Sequence, residues 1–465
     1  MKRERSKRVL GLTVILVLLG SGCGTYLPMN RRLEPYDPTE GYRAQSVDQF
    51  DDSNQLILML AMSGGGTRAA AFAYGVLEEL AATQVSFDGR ERNLFDEIDG
   101  VTGVSGGSFV AAYLGLHGRD MFGSFEERFL RKDVQTELLL RLLWPLNWLR
   151  LLSPYSARSD LAADYYDSQI FDHATFADLA RSGGPFVSIH ATDLITGSPF
   201  SFTQDQFDYI CSDLAKLPIS RAVTASSAVP LLLSPITLRN YSDCGFQAPD
   251  WVLRNRDFTE ELDREYVNAQ NLLSYVEGDR RYIHLVDGVL SDNLGVRGPF
   301  EAWVKQQVQP AKRPARNPVR DVVFVVVNAQ TTPDTEWNRT AVLPSLGFIL
   351  DAATSAQVNR YNFETIELLQ RTFSLWSETT LRWDPPMRFE VIELSFLDVP
   401  SSEERAYLNK LSTSLALSDE AVDRLRAAAR ASLRRSSRFQ ELLTRLRDSS
   451  VGADGPDPLP VPAAD

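Results

Sequence analysis

Residues 103–107 read Gly-Val-Ser-Gly-Gly, a G-x-S-x-G pattern centred on Ser105. This pattern suits a serine held on a sharp turn between a strand and a helix, since only small neighbours such as Gly103, Gly106 and Gly107 fit around it. A serine hydroxyl is a weak nucleophile unless a base takes its proton. Four histidines are available: His117, His173, His190 and His284. His117 stands beside Gly118, where a helix would end. His173 lies in a turn-like stretch, and His190 sits in an apolar run. His284 comes closest, but it precedes Asp287 inside a strand, whereas a Ser-Asp-His hydrolase carries its histidine in a loop after the acid. No histidine is well placed.

Two further stretches carry polar chemistry. Residues 63–69 read SGGGTRA between a predicted strand and a predicted helix. The successive Gly64, Gly65 and Gly66 let backbone N–H groups form a concavity at the positive end of the helix. Such a loop can cradle a phosphate or an oxyanion, or it can be a tight strand-to-helix turn. It lacks the Gly-Lys-Ser/Thr of a phosphate-binding P-loop, and Ala69 replaces the last glycine of a dinucleotide fingerprint. The phrase VDGVLSDNLG then places Asp287 at the end of an apolar strand, before Gly288. There it is either a catalytic carboxylate, as at the carboxyl ends of parallel strands, or a turn aspartate. Asp292 reads as a turn residue.

The elements that must position these groups follow from hydrophobic patterning. Residues 55–62 form a continuous apolar run, as in a strand buried on both faces. Further strands are predicted at 98–104, 185–191, 282–286, 322–328 and 389–395, with helices at 68–80 and 108–116. Strands alternating with helices imply an α/β sheet covered on both faces. Residues 129–155 crowd leucines and two tryptophans around Pro145. They read as a helix packed on the core, or as a lid or lipid-facing pair, since Trp and Arg suit a membrane interface; we expect them near Ser105. After residue 401 the chain is charged and helical, in the manner of a surface appendage.

Taken in order, SGGGTRA, GVSGG and VDGVLSDNLG resemble the motifs of the patatin-like phospholipases, relatives of the cytosolic phospholipases. ASSAVPLLLSP at 225–235 resembles that family's segment between serine and aspartate. The likeness spans about residues 56–295. It implies a three-layer α/β/α fold with a mostly parallel central sheet, continued here by a C-terminal helical extension. It also implies a serine hydrolase with a Ser-Asp dyad, no histidine, and no cofactor or metal. Carried over, Ser105 is the nucleophile and Asp287 the base. Gly64, Gly65 and Gly66 supply oxyanion-hole N–H groups, and Arg68 adds positive charge for an anion or phosphate. Ala69 and Val289 depart from the family pattern and bear on the shape of the pocket. The implied activity is hydrolysis of phospholipid or other lipid esters. An acyltransferase on the same dyad and a non-catalytic lipid-binding lipoprotein are the alternatives.

The remaining features bound location and partners. The chain has 465 residues and a net charge of −13, which argues against nucleic acid. Its first eight residues carry five basic groups and one acid, and an apolar run at 9–19 precedes Gly20-Ser21-Gly22-Cys23. This pattern reads as a signal peptide ending in a lipobox-like site. Lipidation at Cys23 would anchor the protein to a membrane surface in the cell envelope, with the outer membrane or the periplasmic side favoured. In that oxidising setting Cys211 and Cys244 either pair or remain buried thiols. The expected division is a leader at 1–23, a polar tether at 24–53, a catalytic domain at 54–330, remaining strands and helices at 331–448 and a disordered tail at 449–465.

Overall fold

Strand β1 (Leu56–Met62) is buried along its whole length. Its side chains alternate between two cores, which fixes a layered architecture. Leu56, Leu58, Leu60 and Met62 face one cluster, and Ile57, Met59 and Ala61 face another. The computed structural model describes residues 28–44, 55–87, 90–151, 153, 156–230, 232–241, 243–257, 263–297, 319–332, 339, 341, 343, 345–383 and 386–451. The expected leader, Cys23 and most of the tail lie outside the described residues.

The first helix, α1 (Gly66–Ala82), follows β1. Next come β2 (Ile98–Val104), α2 (Gly106–His117), α3 (Val134–Leu143), α4 (Pro145–Leu151) and α5 (Arg158–Gln169). The chain continues through β3 (Phe186–Asp193), α6 (Ile219–Ser226), β4 (Ile236–Arg239) and β5 (Tyr282–Asp287). It goes on through β6 (Asp321–Asn328), α7 (Leu346–Thr380), β7 (Arg388–Ser395) and α8 (Asp419–Arg435). The sheet order is β7-β6-β1-β2-β3-β5-β4. Neighbours from β7 to β3 are parallel, whereas β5 runs antiparallel to both β3 and β4.

One face of the sheet is covered by α1, α2 and α6, and the other by α7 through Ile366, Leu369 and Phe373. This is the expected three-layer α/β/α arrangement. The sheet draws strands from both sides of the boundary expected at residue 330, since β7 pairs with β6.

Two expectations need correction. The C-terminal helices are not a surface appendage: α8 packs Val422, Leu425, Ala429 and Leu433 into the main core against α1. A Cβ on Gly75 would lie 2.5 Å from the carbonyl oxygen of Arg426, so glycine permits that close crossing. Nor is the polar stretch a free tether over residues 28–44. Arg31–Arg32 pairs with Ser212–Asp213, Tyr42 is buried, and buried Arg43 meets Asp208 at 2.8 Å. Polar composition concealed a strap that docks through charge pairs and a few rings. At the other end, the helix Ser437–Val451 enters the stretch expected as tail.

Candidate active site

Strand β2 delivers Ser105 and α2 begins at the next residue. Ser105 adopts φ 48, a left-handed conformation that non-glycine residues rarely take, and the surroundings must hold it there. Its N–H donates to Ser226 Oγ at 2.9 Å, and the Ser226 hydroxyl donates to the carbonyl of His190 at 2.6 Å. Its carbonyl accepts from Ser108 Oγ at 2.6 Å. A Cβ on Gly106 would stand 2.1 Å from the Gly66 carbonyl oxygen, so the elbow and the glycine loop meet backbone to backbone. Between Gly103 and Gly107 the approach is similarly close, at 2.6 Å for a Cβ on Gly103.

Ser105 Oγ donates to Asp287 Oδ2 at 3.0 Å. The other carboxylate oxygen accepts the Val289 N–H at 3.0 Å. The Asp287 backbone is pinned on both sides: its N–H donates to Ala228, and its carbonyl accepts from Thr192 Oγ1. Burial pushes the carboxyl up to about 7, against the opposing pull of the Val289 and Ser105 hydrogen bonds. An acid with that affinity is a far better proton acceptor than an exposed aspartate near pH 7. Asp287 reaches the serine by a different route from the one expected. Strand β5 is antiparallel, so the carboxylate descends onto the carboxyl end of β2 from above, opposite Ala191.

No histidine enters this arrangement. His190 is buried, with Nδ1 at Ser201 Oγ, and burial pushes its pKa down to about 3. His284 Nδ1 meets Thr237 Oγ1, His173 meets Asp167, and His117 packs on Tyr113.

A model of the patatin-like phospholipase family matches residues 60–300, just over half of the chain. The chain belongs to the patatin-like phospholipase family. Among solved structures, human GIVD cytosolic phospholipase A2 is 12% identical with a TM-score of 0.48, over 88% of this chain and 63% of that one. VipD from Legionella pneumophila is 12% identical with a TM-score of 0.29, over 87% of this chain and 71% of that one. This chain thus spans less than two thirds of the human structure's length. No curated protein matches it.

Within this patatin-like frame, the glycine loop corrects one expectation. The Gly64 N–H is shared between the backbone carbonyl and Oδ1 of Asn293, each at 3.1 Å, so it is directed away from an oxyanion. The Gly65 and Gly66 N–H groups have no acceptor among the described residues. They stand at the head of the 17-residue α1. The next N–H, of Thr67, donates to Ser414. Arg68 is beside the loop but buried, donating to the carbonyls of Ala329 and Leu411 at 3.1 and 2.6 Å. These bonds join the loop to the strand behind it and to the C-terminal region.

Asn293 and Ser226 were not singled out from sequence, although both lie inside quoted motifs. Asp292 is more than a turn residue. It is buried, its carboxylate accepts the N–H groups of Gly295 and Arg297, and burial raises its pKa to about 6. Val289 packs over the loop, with Cγ2 at 2.4 Å from where a Gly64 Cβ would stand. Away from the site, Cys211 and Cys244 are joined as a disulfide.

Proposed function

We propose that this protein is a lipid acyl-ester hydrolase using a Ser105–Asp287 dyad. The observation that carries the reading is the 3.0 Å hydrogen bond between Ser105 Oγ and a buried carboxylate, at a strained elbow beside two N–H groups lacking acceptors among the described residues. Ser105 Oγ attacks the ester carbonyl carbon as its proton moves to Asp287 Oδ2. The N–H groups of Gly65 and Gly66 stabilise the oxyanion, and removing one such donor typically costs about 3–4 kcal/mol. Collapse of the intermediate expels the alcohol portion of the lipid, which takes the proton from Asp287 and leaves an acyl group on Ser105. Water then attacks the acyl-enzyme, giving its proton to Asp287, and the carboxylic acid departs as Ser105 recovers its hydrogen.

Substrates of this reading are phospholipids or other lipid esters at a membrane surface. The leader-like pattern ending at Cys23 supports export and lipid anchoring in the cell envelope, and the Cys211–Cys244 disulfide fits an oxidising compartment. Incorporation of labelled palmitate, lost in Cys23→Ala, tests the anchor.

The decisive experiment treats the protein with a serine-reactive fluorophosphonate and with a panel of defined lipid esters. Labelling at Ser105, and hydrolysis lost in Ser105→Ala and Asp287→Asn, are expected. Full activity in either variant removes the dyad. A protein that neither labels nor hydrolyses is a binding lipoprotein, and an acyl group transferred only to an added alcohol acceptor makes it an acyltransferase.

A further inference from the structure

Helices α3 and α4 form a hairpin whose outer surface is unusually apolar. Leu139, Leu140, Leu143, Trp144, Leu146 and Trp148 are all exposed, with Leu140, Trp144 and Leu146 at 57%, 59% and 64%. The hairpin keeps its shape without burying these side chains. Asn147 Nδ2 and Trp148 Nε1 donate to the carbonyls of Arg141 and Leu142, which satisfies the end of α3. Arg141 lies over the Tyr165 ring at 4.9 Å, and Arg150 pairs with Asp164 at 2.6 Å, so both cations are tied to α5 at the flank.

The start of α3 and the helix that follows the hairpin, α5, are each fastened to a loop next to the site. Gln135 exchanges hydrogen bonds with Leu415, whose neighbour Ser414 accepts from Thr67 in the glycine loop. In α5, Ser159 bonds Ser234, in the loop whose Ala228 carbonyl holds the Asp287 N–H. Leu232 in that loop and Leu290 beside the aspartate are exposed as well.

The chain also enters the fold at this end. Val104 pairs with His190 in the parallel direction, Asp287 with Ala191, and Tyr282 with Arg239. Moving from Asp287 back to Tyr282 therefore goes beyond the carboxyl end of β2, by roughly 16 Å over five residues. Asn30 binds both the N–H and the carbonyl of Arg239 there. Residues 1–27, which precede this strap and lie outside the described residues, carry the apolar run 9–19.

We propose that the α3–α4 hairpin is a bilayer-docking element, whose leucines and tryptophans enter the interfacial region and seat the dyad on the lipid surface. An exposed apolar patch of this kind marks an interaction surface. Tryptophans among leucines, with arginines held at the flank, suit the boundary between headgroups and acyl chains. A bilayer is the occupant that meets the hairpin, the exposed Leu232 and Leu290 and the strap at Asn30 together. The inference depends on the hydrolase reading only for what the site consumes there.

The test uses the full chain with phosphatidylcholine vesicles whose acyl chains are brominated at defined depths. Tryptophan quenching is expected in the native protein, and the hairpin's share of it should vanish in Trp144→Phe/Trp148→Phe. It should persist at about 0.5 M salt, because apolar burial rather than charge drives it. Leu140→Ser/Leu146→Ser should lower hydrolysis of vesicle lipid about tenfold or more while sparing a short-chain monomeric ester. Absence of hairpin-dependent quenching overturns the proposal, and so does equal loss on both substrates. A dimer in sedimentation that Leu140→Ser/Leu146→Ser dissociates assigns the face to a second copy instead. Quenching in a protein that hydrolyses neither substrate would sink the hydrolase reading and leave the docking surface standing; hydrolysis without quenching would do the reverse.

Discussion

Ser105 Oγ and Asp287 Oδ2 are 3.0 Å apart although 182 residues separate them, and the bond is direct, with no histidine side chain mediating it. In the proposed dyad, a base that binds the nucleophile directly would leave one titration in control of proton acceptance. Burial places that titration near neutrality.

The first prediction follows from that value. Only ionised Asp287 can take the Ser105 proton, so kcat/KM should rise with pH through about 7 and level off above it. At pH 5 it should be about one hundredth of the plateau. A rate profile flat down to pH 5 would show that Asp287 is not the base.

Stability should respond to the same group with a definite sign. The folded pKa of about 7 lies above the ordinary carboxylate value of 3.8, so the folded state holds its proton over a range where the unfolded state releases it. Asp287 therefore withdraws stability as pH climbs from about 4 to 7, and the loss is complete above that window. Asp287→Asn removes the buried charge. Its Tm should exceed that of the native protein at pH 8 and match it at pH 4, as calorimetry can show.

Asn293 and Ser226 should act on rate through position. Asn293→Ala leaves the Gly64 N–H with the residue-293 backbone carbonyl alone, and Ser226→Ala strands the Ser105 N–H. An unsatisfied buried donor costs about 1–3 kcal/mol. We expect kcat to fall about 5- to 100-fold in each variant, with KM little changed and fluorophosphonate labelling slowed in parallel. Unchanged kcat in both would assign these bonds to folding alone.

Gly106→Ala should be worse than either, because its Cβ would enter the Gly66 carbonyl at 2.1 Å. Separation of the elbow from the glycine loop is the only relief available. Labelling of Ser105 should be lost even where circular dichroism shows a folded sheet.

Leu425→Ala tests whether α8 belongs to the fold. Truncating a fully buried leucine typically costs about 2–5 kcal/mol. A drop of that size in urea unfolding is expected, and a neutral result would return α8 to the status of an appendage.

Much of this was legible in the residues. Strands β1, β2, β3, β5, β6 and β7 were evident because each is a short apolar run, and Ser105, Asp287 and the glycine loop sit at their ends. The direction of β5 was not legible, since an apolar run reads the same either way and direction is set by pairing. The partner of Gly64 was hidden for a related reason: Asn293 lies 229 residues away, and nothing local marks its amide as an acceptor. The α3–α4 leucines have helical spacing that suits a core face equally well. The strap at 28–44 is polar and aperiodic, and its docking depends on Arg43 meeting Asp205, which the chain supplies 162 residues later.

That strap bears on how the protein would work in place. Asn30 is fastened seven residues after Cys23. A lipid on Cys23 would leave at most about 25 Å of chain between leaflet and fold. A catalyst rooted so closely would have no reach to a second membrane. Its supply would be whatever diffuses laterally beneath it, so turnover would follow the surface density of substrate in its own leaflet and be indifferent to dilution of the surrounding medium.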